Sequence, residues 1–260
     1  MSSAPWMDTD WSYRAPALVD RSGTSGAKDA ELPLVTAHQH LWDNVDTNGE
    51  DIRVTSADGE TAIVYDLEAL NKTSQVGTIE LQAYNGQDNA HQLVYIYYGA
   101  TDKSDGSATF TPSTPIDGTI TPEYPSSAHV LRLFPERPGD PNPRVVLSKH
   151  TTEVSHVYIP VDMAFAGLCA DYNNSRGYEG LDYLTFTVTA AGSAQADMVD
   201  ETAVRVCDCG GRGERLAIRV IVKAGASGTN YTGVLTLTST LGQVVVRTFE
   251  IRVQDPVETS

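Results

Sequence analysis

The sequence predicts an all-β protein: two β-sandwich domains joined by a proline-rich connector and preceded by an extended N-terminal arm. Three observations lead there. Apolar residues recur at period two along most of the chain, eight prolines gather between residues 101 and 150, and only "DMAFAGLCADY", with Asp162 as N-cap, has the makings of a helix. A length of 260 residues leaves room for one large or two ordinary domains, and 40% hydrophobic with 20% charged residues is the composition of a folded chain.

Residues 1–30 are rich in Ser, Asp, Ala and Gly, with Trp6 and Trp11 as the large anchors, and read as the arm. The first sandwich with its connector is expected over 31–148. Ile52 and Val54, a turn at Asp58-Gly59, then Ile63, Tyr65 and Leu67 predict a hairpin. In "TIELQAY", Ile79, Leu81 and Ala83 share a face. "LVYIYYGA" is apolar on both faces, with Leu93, Tyr95 and Tyr97 against Val94, Ile96 and Tyr98, which predicts a strand covered on both sides. Proline lacks an N–H and fixes φ, so 101–150 is expected to be extended connector with "HVLRLF" as a short strand. The second sandwich is expected over 149–260. There Leu184, Phe186 and Val188 alternate with threonines, Phe249, Ile251 and Val253 with polar residues, and "TLGQ" closes the last hairpin. Its hundred or so residues match the size of an immunoglobulin-like module.

The formal net charge of -16, with 18 Lys and Arg, argues against nucleic acid as a partner, because phosphate contacts are made chiefly by those residues. The excess acid is expected to serve solubility at high local concentration, with a salty habitat as the alternative. No basic segment followed by an apolar run opens the sequence and no window reaches membrane-spanning length, so a soluble protein without membrane contact is expected. Cys169, Cys207 and Cys209 have no disulfide-framework spacing.

Candidate sites are few. "CDCGG" puts Cys207 and Cys209 two apart, a candidate metal pair that Cys169 and a histidine could complete; the alternative is two free cysteines flanking a glycine turn. "HQH" would put His38 and His40 on one side of a strand, also compatible with a metal, but no third ligand stands at fixed spacing. There is no Gly-x-Ser-x-Gly elbow, and "GGRGER" is followed by a strand where a phosphate loop needs a helix. The expectation is therefore no catalytic residues, no cofactor and no enzyme. Tyr84, Tyr98 and Tyr124 are candidates for stacking on a sugar ring.

Two resemblances extend this reading. "WSYRAP", "DIRVTSADGETAIVYDLE" and "VYIYYG" resemble a small β-sandwich module of unknown function, related to concanavalin-like lectin folds and found in bacterial, archaeal and viral surface proteins. This resemblance implies a lectin-like jelly roll for 31–148. "GLDYLTFTV" and "TNYTGVLTLTSTLGQVVVRTFEIRV" are similar to an immunoglobulin-like module of tailed-phage virion proteins. It implies a structural virion protein made in the host cytoplasm, a capsid decoration, neck or tail accessory subunit, with other virion proteins and copies of itself as partners. The alternative is a carbohydrate-binding module that attaches to a host-surface glycan.

Overall fold

Among the described residues, apart from one short helix and a single 3-10 turn, the regular structure is β. The computed structural model describes residues 7–8, 10–36, 38–109, 115–120, 129–130, 146–160, 181–207 and 215–255. In chain order the strands are β1 (Tyr13–Asp20), β2 (Lys28–Leu34), β3 (Arg53–Ser56), β4 (Tyr65–Asn71), β5 (Val76–Tyr84), β6 (His91–Tyr98), β7 (Ile116–Ile120) and β8 (His129–Val130). They continue as β9 (Val146–His150), β10 (Ser155–Pro160), β11 (Leu181–Ala190), β12 (Ser193–Ala194), β13 (Val199–Cys207), β14 (Arg215–Val222), β15 (Asn230–Ser239) and β16 (Val244–Gln254). Helix α1 covers Gln39–Asn44 and the 3-10 turn Ala196–Met198.

The strands make a sandwich. The large sheet runs β4-β5-β2-β7-β1-β6-β11-β15-β16-β9, with β3 added to β6 and β12 to β11, and a smaller sheet runs β13-β14-β10-β8. The large sheet doubles back at β7, which pairs antiparallel with β1 and parallel with β2. That reversal lays β2, β4 and β5 over the β1–β6 ladder.

Strand β6 explains the arrangement. Val94, Ile96 and Tyr98 pack in one core with Ala17 and Val19 of β1, Leu32 of β2, Ile79 and Leu81 of β5, and Trp42 of α1. Leu93, Tyr95 and Tyr97 point the other way, into a core with Leu18 of β1, Val157 and Ile159 of β10, Val220 of β14, Leu184 of β11 and Phe249 of β16. The two-sided apolar pattern is thus the mark of a strand between two layers, each buried side chain stabilising by roughly 1.5–3 kcal/mol. The second core draws on residues from both sides of residue 148. The sheet itself crosses that point, because Gln92 and His91 of β6 pair with Tyr183 and Leu184 of β11. The side-chain amide of Gln92 also donates to the carbonyl of Asp182 at 3.0 Å and to its carboxylate.

Several expectations are corrected. Residues 13–20, assigned to the arm, form an interior strand paired to β6 along its length and to β7 on its other edge. "YRAPALVD" alternates like the rest: Ala17 and Val19 enter one core and Leu18 the other. Upstream, the Trp11 indole N–H donates to the carbonyl of Asp51 at 2.6 Å, with the cations of Arg53 and Lys103 over its ring. The segments before and after Asp58-Gly59 share only a short backbone ladder around the Thr55–Ala62 bridge, beyond which the Tyr65 hydroxyl donates to the carbonyl of Ile52. Strand β3 then joins β6 while β4 joins β5, so the turn carries the chain from one layer to the other. Within the proline-rich stretch, β7 is a paired strand and β8 lies parallel to β10; the rest of "HVLRLF" and the helix expected from Asp162 lie outside the described residues.

A buried cation holds the loops at one end of the sandwich. Arg21, fully buried, donates to the carbonyls of Gln87, Tyr84 and Gly26 at 3.1, 3.1 and 2.7 Å and to the Asp88 carboxylate at 2.8 Å. Five donors in a planar fork suit this set of oxygens as no other side chain does.

Candidate functional site

At the opposite end of β1 and β6 the first core opens to solvent through three aromatic rings. Tyr13 begins β1 and Tyr98 ends β6, and the register pairs them directly. Their rings stack with centroids 5.7 Å apart and planes 28° from parallel. His40, from the first turn of α1, stands nearly perpendicular to Tyr13 at 4.9 Å and lies 6.0 Å from Tyr98. Its Nδ1 is 2.9 Å from the Tyr98 hydroxyl. The three centroids thus lie within 6.0 Å of one another, and Tyr13 remains 37% exposed.

The backing of this corner is rigid. Beneath Tyr13 the chain turns at Gly99, where φ is +79° and a Cβ would lie 2.5 Å from the tyrosine ring, so only glycine both adopts the turn and admits the ring. Asp51, buried, fixes the surroundings. One carboxylate oxygen accepts from the Gly99 N–H at 2.6 Å, the other from the Asp46 N–H at 2.9 Å, and its carbonyl accepts from Trp11. Helix α1 is held by Leu41 and Trp42, both buried, and by the Trp42 indole N–H, which donates to the carbonyl of Val35 at 2.8 Å.

The structure redistributes the residues singled out from sequence. Tyr98 is buried, its face spent on Tyr13, and cannot serve as an exposed sugar platform. Tyr84 is buried too, although alternation along β5 points it outward. The cause is a register shift: Lys28 pairs with Tyr84 but Ala30 with Leu81, so β5 carries an extra residue that turns Tyr84 into the core. His38 and His40 lie at the start of a helix and not on a strand. The His38 Nδ1 accepts from the Val35 N–H at 3.1 Å, which leaves its Nε2–H to donate to the carbonyl of Ile120 at 3.0 Å; both nitrogens are committed, and burial lowers its pKa. Tyr124, Cys169 and Cys209 lie outside the described residues, as does the side chain of Cys207. Among the described residues no group of three or more His, Cys, Asp or Glu is placed to hold a metal.

One electrostatic feature went unread in the sequence. On the outer face of the β4-β5-β2-β7 layer the register lines up Asp66, Glu80, Glu31 and Asp117 in a single row across the four strands. Glu80 is buried in that row. Burial first, then the charge of Glu68 and a hydrogen bond to it, then Glu31 and Asp66, raise its pKa to about 6. The sequence signal is an acid at the outward position of each strand, which only the register shows to be aligned.

Residues 48–118 match a family described as Domain of unknown function (DUF2341). A DUF2341 domain is therefore present in the chain. It spans β3 to β6 and enters β7, and holds Asp51, Tyr98 and Gly99, the backing of the aromatic corner, whereas Tyr13 and His40 lie outside the matched DUF2341 segment. No curated protein matches the chain.

Proposed function

We propose that this chain is a structural virion protein of a tailed phage, an accessory subunit of capsid, neck or tail that works by adhesion to copies of itself and to other virion proteins. The observation that carries the reading is the outer face of β11, β15 and β16. Across those strands the register gives the rows Tyr183–Thr238–Val244, Thr185–Thr236–Val246 and Thr187–Val234–Thr248, with no charged residue in any of them. Val244 and Val246 are 60% and 53% exposed. In a chain of net charge -16, such a face is where two like-charged copies meet without repulsion, and exposed β-branched side chains supply apolar area for contact. The resemblance of the C-terminal half to phage virion modules points the same way.

Mass spectrometry of particles purified from the phage that encodes the chain tests this. The expected result is the polypeptide at a fixed ratio to the capsid or tail subunits, reduced by Val246→Glu, which puts a charge in the face. Its absence from particles overturns the proposal. Attachment to a host glycan through Tyr84 or Tyr98 is not supported, since neither offers a free ring face.

A further inference from the structure

The chain contains two Asn-Gly pairs, Asn48-Gly49 and Asn85-Gly86, and the fold holds them in opposite ways. A glycine has no Cβ to shield its amide nitrogen, so in such a pair that nitrogen can reach the side chain of the preceding asparagine. We infer that Asn85-Gly86, in the loop between β5 and β6, is a site of spontaneous deamidation that loosens the Arg21 clamp, while Asn48-Gly49 is protected.

The reaction needs water alone as co-reactant. The Gly86 nitrogen gives up its proton to water or hydroxide and attacks Cγ of Asn85. A C–N bond forms there, the side-chain amide leaves as ammonia, and a cyclic succinimide remains. Water then adds to one ring carbonyl or the other, and the ring opens to aspartate or to isoaspartate.

Hydrogen bonding decides which pair reacts, because a bonded N–H must first be released. The Gly49 N–H donates to the carbonyl of Asp46 at 3.2 Å, the Asn48 N–H to the Asp46 carboxylate at 2.9 Å and the Asn48 side-chain amide to Glu50 at 3.4 Å. Gly49 is also buried, close to Leu67, Leu70 and Ile52. Asn85, by contrast, is exposed, and among the described residues neither its side chain nor the Gly86 N–H has a hydrogen-bond partner. Packing nevertheless requires the glycine. A Cβ at position 86 would lie 2.9 Å from Cγ of Gln92 and from Cε1 of Tyr84, so the reactive pair is built into the loop.

The position gives the reaction its effect. Arg21 donates to the carbonyls of Tyr84 and Gln87, which bracket Asn85-Gly86, and the Gln87 N–H donates to the Gln92 side chain at 3.0 Å. Isoaspartate routes the main chain through the former side chain and so adds a methylene between the two clamped carbonyls. Either product also adds a negative charge to a chain that already carries -16.

The test is to age the purified full chain at mildly alkaline pH, digest samples with pepsin in acid, which halts the reaction, and follow the exchange of amide for acid at each asparagine by mass spectrometry. Asn85 is expected to convert about tenfold faster than Asn48, the factor that opening a hydrogen bond accounts for, and the two rates should converge in urea. The melting temperature of the aged chain should fall, while that of Asn85→Gln aged in parallel, whose longer side chain closes a ring far more slowly, should hold. Equal rates in the folded chain, faster conversion at Asn48, no conversion at Asn85, or a difference that persists in urea overturns the inference. An unchanged melting temperature after conversion overturns the link to the clamp. Neither readout involves particle incorporation, so the virion proposal stands or falls separately.

Discussion

Glu80 of β5 lies directly opposite Glu31 of β2, two carboxylates facing each other across a ladder where like charges are unfavourable. Asp66 flanks the pair on β4 and Asp117 on β7, and Glu68 shares a hydrogen bond with Glu80. The fold keeps this row by leaving Glu80 protonated longer than an ordinary glutamate.

Replacing Glu80 should therefore stabilise the protein, but only where the carboxyl would be charged. A folded-state pKa of about 6 against 4.5 means that its favourable contribution is full below pH 4.5 and is lost as pH rises through 6. Glu80→Gln is expected to raise unfolding stability by about 1 kcal/mol at pH 7.5, after allowance for solvent screening along the row of acids, and by nothing at about pH 3.5. Urea titrations at the two pH values measure the difference.

His38 gives the opposite slope. Its Nδ1 must stay unprotonated to accept from Val35, and burial lowers its pKa below 6.5. An imidazole depressed in the folded state contributes stability that is full above pH 6.5 and is lost as the pH falls through its folded value. In a Glu80→Gln background, where the carboxyl no longer masks it, stability should fall from pH 6.5 to 5, and His38→Gln should flatten that fall. Urea midpoints across the range read it directly.

Arg21 and Asp88 test what a buried cation does here. Arg21→Met removes the partner of three carbonyls and is expected to cost about 3 kcal/mol or more, since each oxygen left buried without a donor carries its own penalty. Asp88→Asn, on a residue 43% exposed, should cost under about 1 kcal/mol. Equal losses in chemical denaturation would mean that the ion pair, not the carbonyl clamp, is the important contact.

A shared strand also predicts shared unfolding. Leu93→Ala and Ile96→Ala cut into opposite cores and should each cost about 2–5 kcal/mol. Both are expected to speed hydrogen exchange in β1, on one side of β6, and in β11 and β15 on the other. Exchange confined to one side in either variant would show that the layers open independently.

These findings mark how far the sequence is legible. Burial of "LVYIYY" follows from its residues alone, because no solvent-facing strand has large apolar side chains on both faces. The alternation in "YLTFTVT" likewise gives its inward set, Leu184, Phe186 and Val188, correctly. Sheet partners are another matter. Asp58-Gly59 specifies a turn, and Asp58 accepts from the backbone of Glu60 and Thr61, yet nothing local sends β3 to β6 and β4 to β5. Tyr84 shows the limit most plainly: one extra residue in β5 inverts its side, and a bulge leaves no mark in a period-two pattern. The corner at Tyr13 was illegible for the same reason, since its members come from residues 13, 40, 51 and 98–99 and meet only through strand register.

The seam between β6 and β11 has a mechanical consequence. Two residue pairs join them, against eight between β1 and β6, with the Gln92 amide as the only side-chain rivet described across the seam. Under tension across this line, the overlap would give way before the β1–β6 ladder, because bonds sharing a tension in parallel give way sooner when they are few. The core beneath, where Leu93, Tyr95 and Tyr97 meet Val157, Val220 and Leu184, would keep the two sides in contact while the overlap re-forms.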